Sequence, residues 1–221
     1  MRVLMYHEVG APPGGRSIYA MDRGRFETHA DWLAERVAAG WVARRAEDPV
    51  GAGVAITFDD GYADALEVAA PLLAARRLPF AVFVTRAHVE SGAPRYLSPA
   101  ALRDLATAGA TIGSHGATHA PLTSCDDDAL ERELRGSREW LEALLGRAVR
   151  VLSYPHGAVD ERVRAAAARA GYAVGYTSRF AAVPLAGDAL LRPRIDVWAR
   201  DRTGTLGAKL AGRWDWMGAL G

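Results

Sequence analysis

Two adjacent carboxylates and two histidines are the residues of this chain whose types and spacing could do chemistry. Asp59 and Asp60 lie in the stretch Ala55-Ile56-Thr57-Phe58-Asp59-Asp60-Gly61-Tyr62. Its apolar, β-branched start reads as a buried strand, and Gly61 can end it. Placing two acids side by side is unfavourable unless something offsets the charge. A metal ion does so: it takes one carboxylate as ligand and leaves the neighbour free to act as a base. Alone, the pair fits a solvated turn with two surface acids equally well, and a short motif needs context. The context is Ser114-His115-Gly116-Ala117-Thr118-His119, whose histidines sit four apart. That spacing puts both imidazoles on one side of a helical turn. One Asp oxygen and two His nitrogens, with positions open for water and substrate, suit a catalytic zinc ion.

TFDDG followed by SHxxxH resembles the polysaccharide deacetylases of the NodB-homology type, carbohydrate esterase family 4, and the resemblance runs from Arg2 to Val197. It implies that Asp59 is the general base and that Asp60, His115 and His119 hold one divalent ion. Zinc suits these ligands best, and cobalt or nickel could replace it because affinity order alone does not select zinc. Met5-Tyr6-His7 matches the N-terminal YH context in which circularly permuted members, notably the poly-N-acetylglucosamine deacetylases, carry a catalytic-acid histidine. The resemblance thus makes His7 the general acid, a role that suits a group titrating near neutrality. Spacing alone favours a histidine satisfied by backbone groups at a strand end, and the resemblance reverses that preference.

Ser153-Tyr154-Pro155-His156-Gly157 stands where the family has RPPYG. There the Arg orients the base and the Tyr backbone N–H helps hold the oxyanion. A backbone N–H does not depend on side-chain identity, so His156 can serve the oxyanion. The Arg is absent, with Ser153 in its place. Arg192 or Arg194 could replace it from a neighbouring strand end as a bidentate partner of Asp59. Arg194 is preferred because Arg194-Ile195-Asp196 falls at a predicted strand end; a surface pairing with Asp196 or Asp160 is the alternative. Tyr62, Tyr154, Trp198 and Phe180 are aromatic candidates for stacking on a sugar ring, and the family's tryptophan-bearing groove motif has no clear counterpart near Tyr172 to Phe180. His29 and His88 lack matching partners and read as structural.

The elements that must position these residues follow from periodicity. Strands are expected over Arg2 to Tyr6, Val54 to Phe58, Phe80 to Thr85, Thr111 to Gly113, Val149 to Tyr154, Tyr172 to Thr177 and Leu190 to Ile195, with helical patterns between most of them. Asp22, Ser98 and Ser124 or Cys125 are candidate caps, and Pro71 should kink or divide a helix over Tyr62 to Arg77. Gly10 to Ser17 reads as a loop. Alternating strands and helices imply a parallel α/β sheet, and every motif falls at a strand C-terminal end, where barrel enzymes place their sites. Pattern alone does not separate a barrel from an open doubly wound sheet. The resemblance implies a distorted, incomplete (β/α)7 barrel of the NodB-homology type.

The 221 residues suit one domain, with 203–221 as a C-terminal helix. Lys plus Arg number 27 against 26 Asp plus Glu, a balance that argues against a nucleic-acid surface. Lys209 is the only lysine and Cys125 the only cysteine, so no intrachain disulfide can form. No signal-peptide or membrane-spanning pattern is visible, which makes a cytoplasmic location the expectation. Leu206, Leu210, Trp214 and Met217 form an apolar stripe beside Lys209 and Arg213. That stripe could complete the core or lie on a membrane beside lipid-linked sugars. The function that the resemblance implies is metal-dependent removal of an N-acetyl group from an amino sugar in a glycan or glycoconjugate. The alternatives are a glycan-binding module that has lost turnover, motivated by the absent Arg, and a deacylase of a small biosynthetic intermediate.

Overall fold

The computed structural model describes residues 1–11 and 17–219. Most of the loop expected between Gly10 and Ser17, and the last two residues of the C-terminal segment, lie outside that range. Among the described residues there are ten strands: β1 (Arg2–Tyr6), β2 (Glu8–Ala11), β3 (Ala20–Asp22), β4 (Ala43–Arg44), β5 (Val54–Phe58), β6 (Phe80–Val84), β7 (Thr111–Ser114), β8 (Val151–Ser153), β9 (Val174–Phe180) and β10 (Arg192–Asp196). Seven of them close a parallel barrel in the order β1-β5-β6-β7-β8-β9-β10 and back to β1, while β4 adds to the edge of β5 and β2 pairs with β3 apart. The ring is uneven. β1 matches β5 along its whole length, but β7 meets β8 through Ser114 and Leu152 alone, and a register shift interrupts β9 against β10.

Period-two alternation sorts the strand residues into two layers. Val3, Ala55, Ala81, Phe83, Val151, Val174 and Tyr176 form one cluster, in the barrel interior. Leu4, Tyr6, Ile56, Phe58, Val82, Val84, Leu152 and Tyr154 belong to the larger cluster under the helices. The inward position of β7 is Gly113, where a Cβ would lie 2.5 Å from the Phe83 ring and 2.8 Å from Val151. Carried to the strand ends, the same alternation turns Thr57 and Asp59 inward on β5, Ser153 on β8, and Arg192, Arg194 and Asp196 on β10. This explains why a polar cluster sits on top of an apolar lumen.

The helices are α1 (Arg23–Ala38), α2 (Ala70–Ala75), α3 (Arg86–Glu90), α4 (Pro99–Thr107), α5 (Asp127–Glu131), α6 (Ser137–Leu145), α7 (Glu161–Arg169) and α8 (Thr203–Leu210). Asp22, Ser98 and Asp160 cap α1, α4 and α7 through side-chain oxygens. The helix expected from Tyr62 is divided near Pro71, with a wide π turn over Ala65–Ala69 before α2. The cap of α5 is Asp126, which accepts from the Ala129 N–H, so neither Ser124 nor Cys125 opens that helix. The C-terminal stripe is used by the fold: Leu206 and Leu210 are buried and Trp214 and Met217 pack on the core. Lys209, placed beside that stripe, is itself fully buried. No helix among the described residues is long and apolar enough to cross a membrane.

Candidate active site

Asp59 is the last inward residue of the β5 line and is 2 % exposed. Arg194 meets it with a two-pronged pair, Nη1 to Oδ1 and Nη2 to Oδ2, both 2.7 Å. Ser153 Oγ donates to Asp59 Oδ2 at 2.9 Å and accepts from Arg194 Nη2 at 2.7 Å. The serine standing in the place of the family's arginine therefore joins the same carboxylate, and the guanidinium comes from β10. Arg194 is held by the Thr177 carbonyl, by Thr57 Oγ1 and by the faces of Phe83 and Tyr176. These bonds occupy both lone pairs of Oδ2 and one of Oδ1, which leaves Asp59 one acceptor position. Burial by itself would raise the Asp59 carboxyl, but Arg194 and then His115 outweigh it and hold it at about 2. Arg192, the other candidate, bonds the Ala46 and Asp48 carbonyls instead.

Asp60 turns away from its neighbour because its backbone is left-handed, φ 72°, and Gly61 follows at φ 74°. His119 (φ 68°) and His156 (φ 58°) are also left-handed. Non-glycine residues held there cost about 1–3 kcal/mol each and cluster at functional sites. The turn brings Asp60 Oδ1 to 3.4 Å from His115 Nε2 and 3.3 Å from His119 Nε2. The histidines converge without a helical turn. Ser114 ends β7 and the chain bends through Gly116 (φ 79°), so the helix implied by the four-residue spacing is not formed.

Glu133, 5 % exposed on the segment between α5 and α6, shapes that bend. Its carboxylate accepts from the Ala117 and Thr118 N–H groups and from Thr118 Oγ1. A Cβ at Gly116 would lie 2.8 Å from Glu133 Oε2. Sequence reasoning missed Glu133; its only signal was an acid beside Leu134 and three residues after Leu130, on an otherwise apolar helical face.

The three groups fit a divalent ion. Their ligand atoms lie within 4.8 Å of one another, and Asp60 Oδ1 is buried with no hydrogen-bond donor among the described residues. His115 Nδ1 donates to the Ser153 carbonyl at 2.8 Å, which leaves the Nε2 lone pair facing Asp60. Burial pulls the His115 imidazole down, yet Asp59 and Asp60 outweigh it and raise it, so the pocket favours positive charge.

His7 follows β1 and faces the same cleft of about 370 Å³, whose walls include Tyr19, Asp59, Asp60, His115, His156 and Asp196. Its ring packs on Tyr19 at 4.4 Å between centroids, and its buried Nδ1 has no partner among the described residues. Burial lowers the His7 imidazole, partly offset by Asp59 and Asp60. His156 is exposed at the rim and donates from Nε2 to the His119 carbonyl at 3.1 Å. His88, read as structural, donates from Nδ1 to the Asp60 carbonyl at 3.2 Å and stacks on Tyr96.

The aromatic candidates fare differently. Tyr154 is fully buried, and as the outward neighbour of Ser153 it packs in the core, so its ring offers no stacking face. Trp198 has the Lys209 ammonium 3.7 Å from its ring centroid and Trp214 beside it, so its face is taken. Phe180 is buried. Tyr62 sits at the surface beyond Asp60, stacked on Tyr96 with the Arg95 guanidinium over both rings.

A seven-stranded parallel barrel with a carboxylate–histidine cleft at its strand C-terminal ends is the class that the fold and the site define. The sequence pattern of polysaccharide deacetylases matches residues 47–175, more than half of the chain, and the chain belongs to that family. It is 26% identical over 183 residues to YxkH of Bacillus subtilis (strain 168), covering 80% of this chain and 63% of that protein. It is 35% identical over 89 residues to the chitooligosaccharide deacetylase of Rhizobium leguminosarum bv. trifolii, 38% of this chain and 37% of that protein. The chain thus spans less than two thirds of either sequence relative. Its fold is similar to that of the Streptococcus pyogenes deacetylase PplD in complex with acetate, with TM-score 0.83 at 20% identity over 95% of this chain and 97% of that one. For IcaB from Ammonifex degensii the TM-score is 0.73 at 24% identity, over 94% and 95% of the two chains.

Proposed function

We propose that this protein is a metal-dependent N-deacetylase that hydrolyses the acetamide of an N-acetylated amino sugar in a glycan or glycoconjugate and releases acetate. The observation that carries the reading is the convergence, in one cleft, of an ionised buried carboxylate, a three-ligand cation site and an unpartnered imidazole. Asp60, His115 and His119 would hold the ion. A divalent ion bound there would supply Lewis-acid polarisation of the acyl carbonyl and would lower the pKa of water, which suits a base as weak as Asp59.

Asp59 takes a proton from that water at its remaining acceptor position. The water oxygen bonds to the acetyl carbon, and the backbone N–H of His156 helps hold the developing oxyanion. His7 donates a proton to the leaving nitrogen as the C–N bond breaks, giving acetate and a free amine. Arg194 and Ser153 keep Asp59 ionised and oriented throughout. The alternative of a binding module rested on a missing arginine, and Arg194 on Asp59 removes that motive. Acetate release from chitooligosaccharides should appear with zinc, stop on chelation and return when zinc is restored. Oligosaccharide binding without acetate in every condition would leave the binding module as the better reading.

A further inference from the structure

The chain uses arginine at 26 of its 27 strongly basic positions, which makes its one lysine a signal. Lys209, on α8, is 0 % exposed. Its ammonium donates to Asp201 Oδ2 at 2.6 Å and to the Asp196 carbonyl at 2.9 Å, with the Trp198 ring 3.7 Å away, Trp214 at 5.3 Å and Phe180 at 5.8 Å. Three donors thus meet a carboxylate, a carbonyl and a ring face, which suits a compact ammonium and not a planar, five-donor guanidinium.

The contacts continue toward the cleft. Asp201 Oδ2 also accepts from the Trp198 N–H, and the Asp201 carbonyl accepts from His29 Nε2 at 3.0 Å. His29 Nδ1 then accepts from the Tyr6 hydroxyl at 3.2 Å. Tyr6 precedes His7, and Asp196 lines the cleft two residues after Arg194. We infer that Lys209, Asp201 and His29 form a buried brace that positions the ends of β1 and β10, and with them His7 and Asp196, against Arg194 and Asp59. Lys209 is a positioning residue, and α8 is part of the frame of the cleft. The catalytic half of this inference rests on the deacetylase reading; the structural half does not.

The test is Lys209→Met combined with Asp201→Asn, which removes both charges together so that neither is left buried alone. Zinc content, kinetics on a chitooligosaccharide and amide hydrogen exchange are read on the full-length zinc-loaded protein. The brace requires faster exchange at Val197 and Asp59, whose amides bond Met5 and Tyr6 on β1. It requires unchanged protection at His115, bonded to Val84 on β6. It further requires at least a tenfold fall in kcat, KM within threefold and one zinc per chain. Uniform change in exchange, or normal kcat in the folded double variant, overturns it. If the double variant does not fold, His29→Gln cuts the link to β1 with the charged pair intact, and the same exchange pattern and kcat decide. If wild type releases no acetate, the function proposal fails, while the exchange pattern still decides the brace.

Discussion

Two buried ion pairs grip β10 from opposite faces. Inside the barrel, Arg194 and Asp59 have side chains 0% and 3% exposed; outside it, Lys209 and Asp201 have 0% and 5%. The inner pair is a fork on a carboxylate, with Ser153 bridging, and Arg194 leaves Asp59 an acceptor position facing the cleft. The outer pair is a point charge in a cage of rings, and its second bond goes to the β10 backbone. The difference shows what decides the cation. Where a carboxylate must be ionised, oriented and still usable, a planar bidentate donor is placed. Where a strand end has to be fixed, a compact ammonium satisfied on every side does it.

The comparison can be broken most severely from the inside. Arg194→Met leaves Asp59 buried without its cation, and removing one partner of such a pair destabilises by about 3–5 kcal/mol. Denaturant titration should show that loss together with no measurable turnover. Arg194→Lys sharpens the point: the charge stays, but one prong of the fork is lost. A lost hydrogen bond to a charged group is worth about 1.5–3 kcal/mol, so stability should fall by that much and turnover with it. Glu133→Gln leaves both pairs intact and loosens the His119 bend. Zinc affinity measured by chelator competition should weaken about tenfold, the low end for groups that orient ligands. The mildest experiment tests the cage alone. Amine acylation of the native protein should modify the N-terminus and spare Lys209, and both should react once the chain is unfolded.

Much of this site was legible in the sequence because it lies at strand ends. Alternation on Val54–Phe58 carries Asp59 inward, and the position of Arg194 near the end of the last strand marks it as a partner of Asp59. What failed was whatever depended on facing or on distant partners. Tyr154 is one residue from Ser153, and period two sends one to the core and the other to the carboxylate. Trp198 read as a sugar platform because nothing nearby in sequence shows that Lys209 occupies its face. The four-residue histidine spacing suggested a helix, while the real bend is built by Glu133 on another segment. His88 reached the site through the Asp60 carbonyl, and a backbone partner leaves no mark in sequence.

The central claim is that Asp59 is the base beside a cation held by Asp60, His115 and His119. The most direct measurement is acetate release by Asp59→Asn at confirmed full zinc loading, beside zinc-loaded wild type on the same chitooligosaccharide. General-base removal should lower turnover about 10²- to 10⁴-fold with one zinc still bound per chain. Near-wild-type acetate release by Asp59→Asn, or loss of its zinc, would contradict the assignment of the two carboxylates.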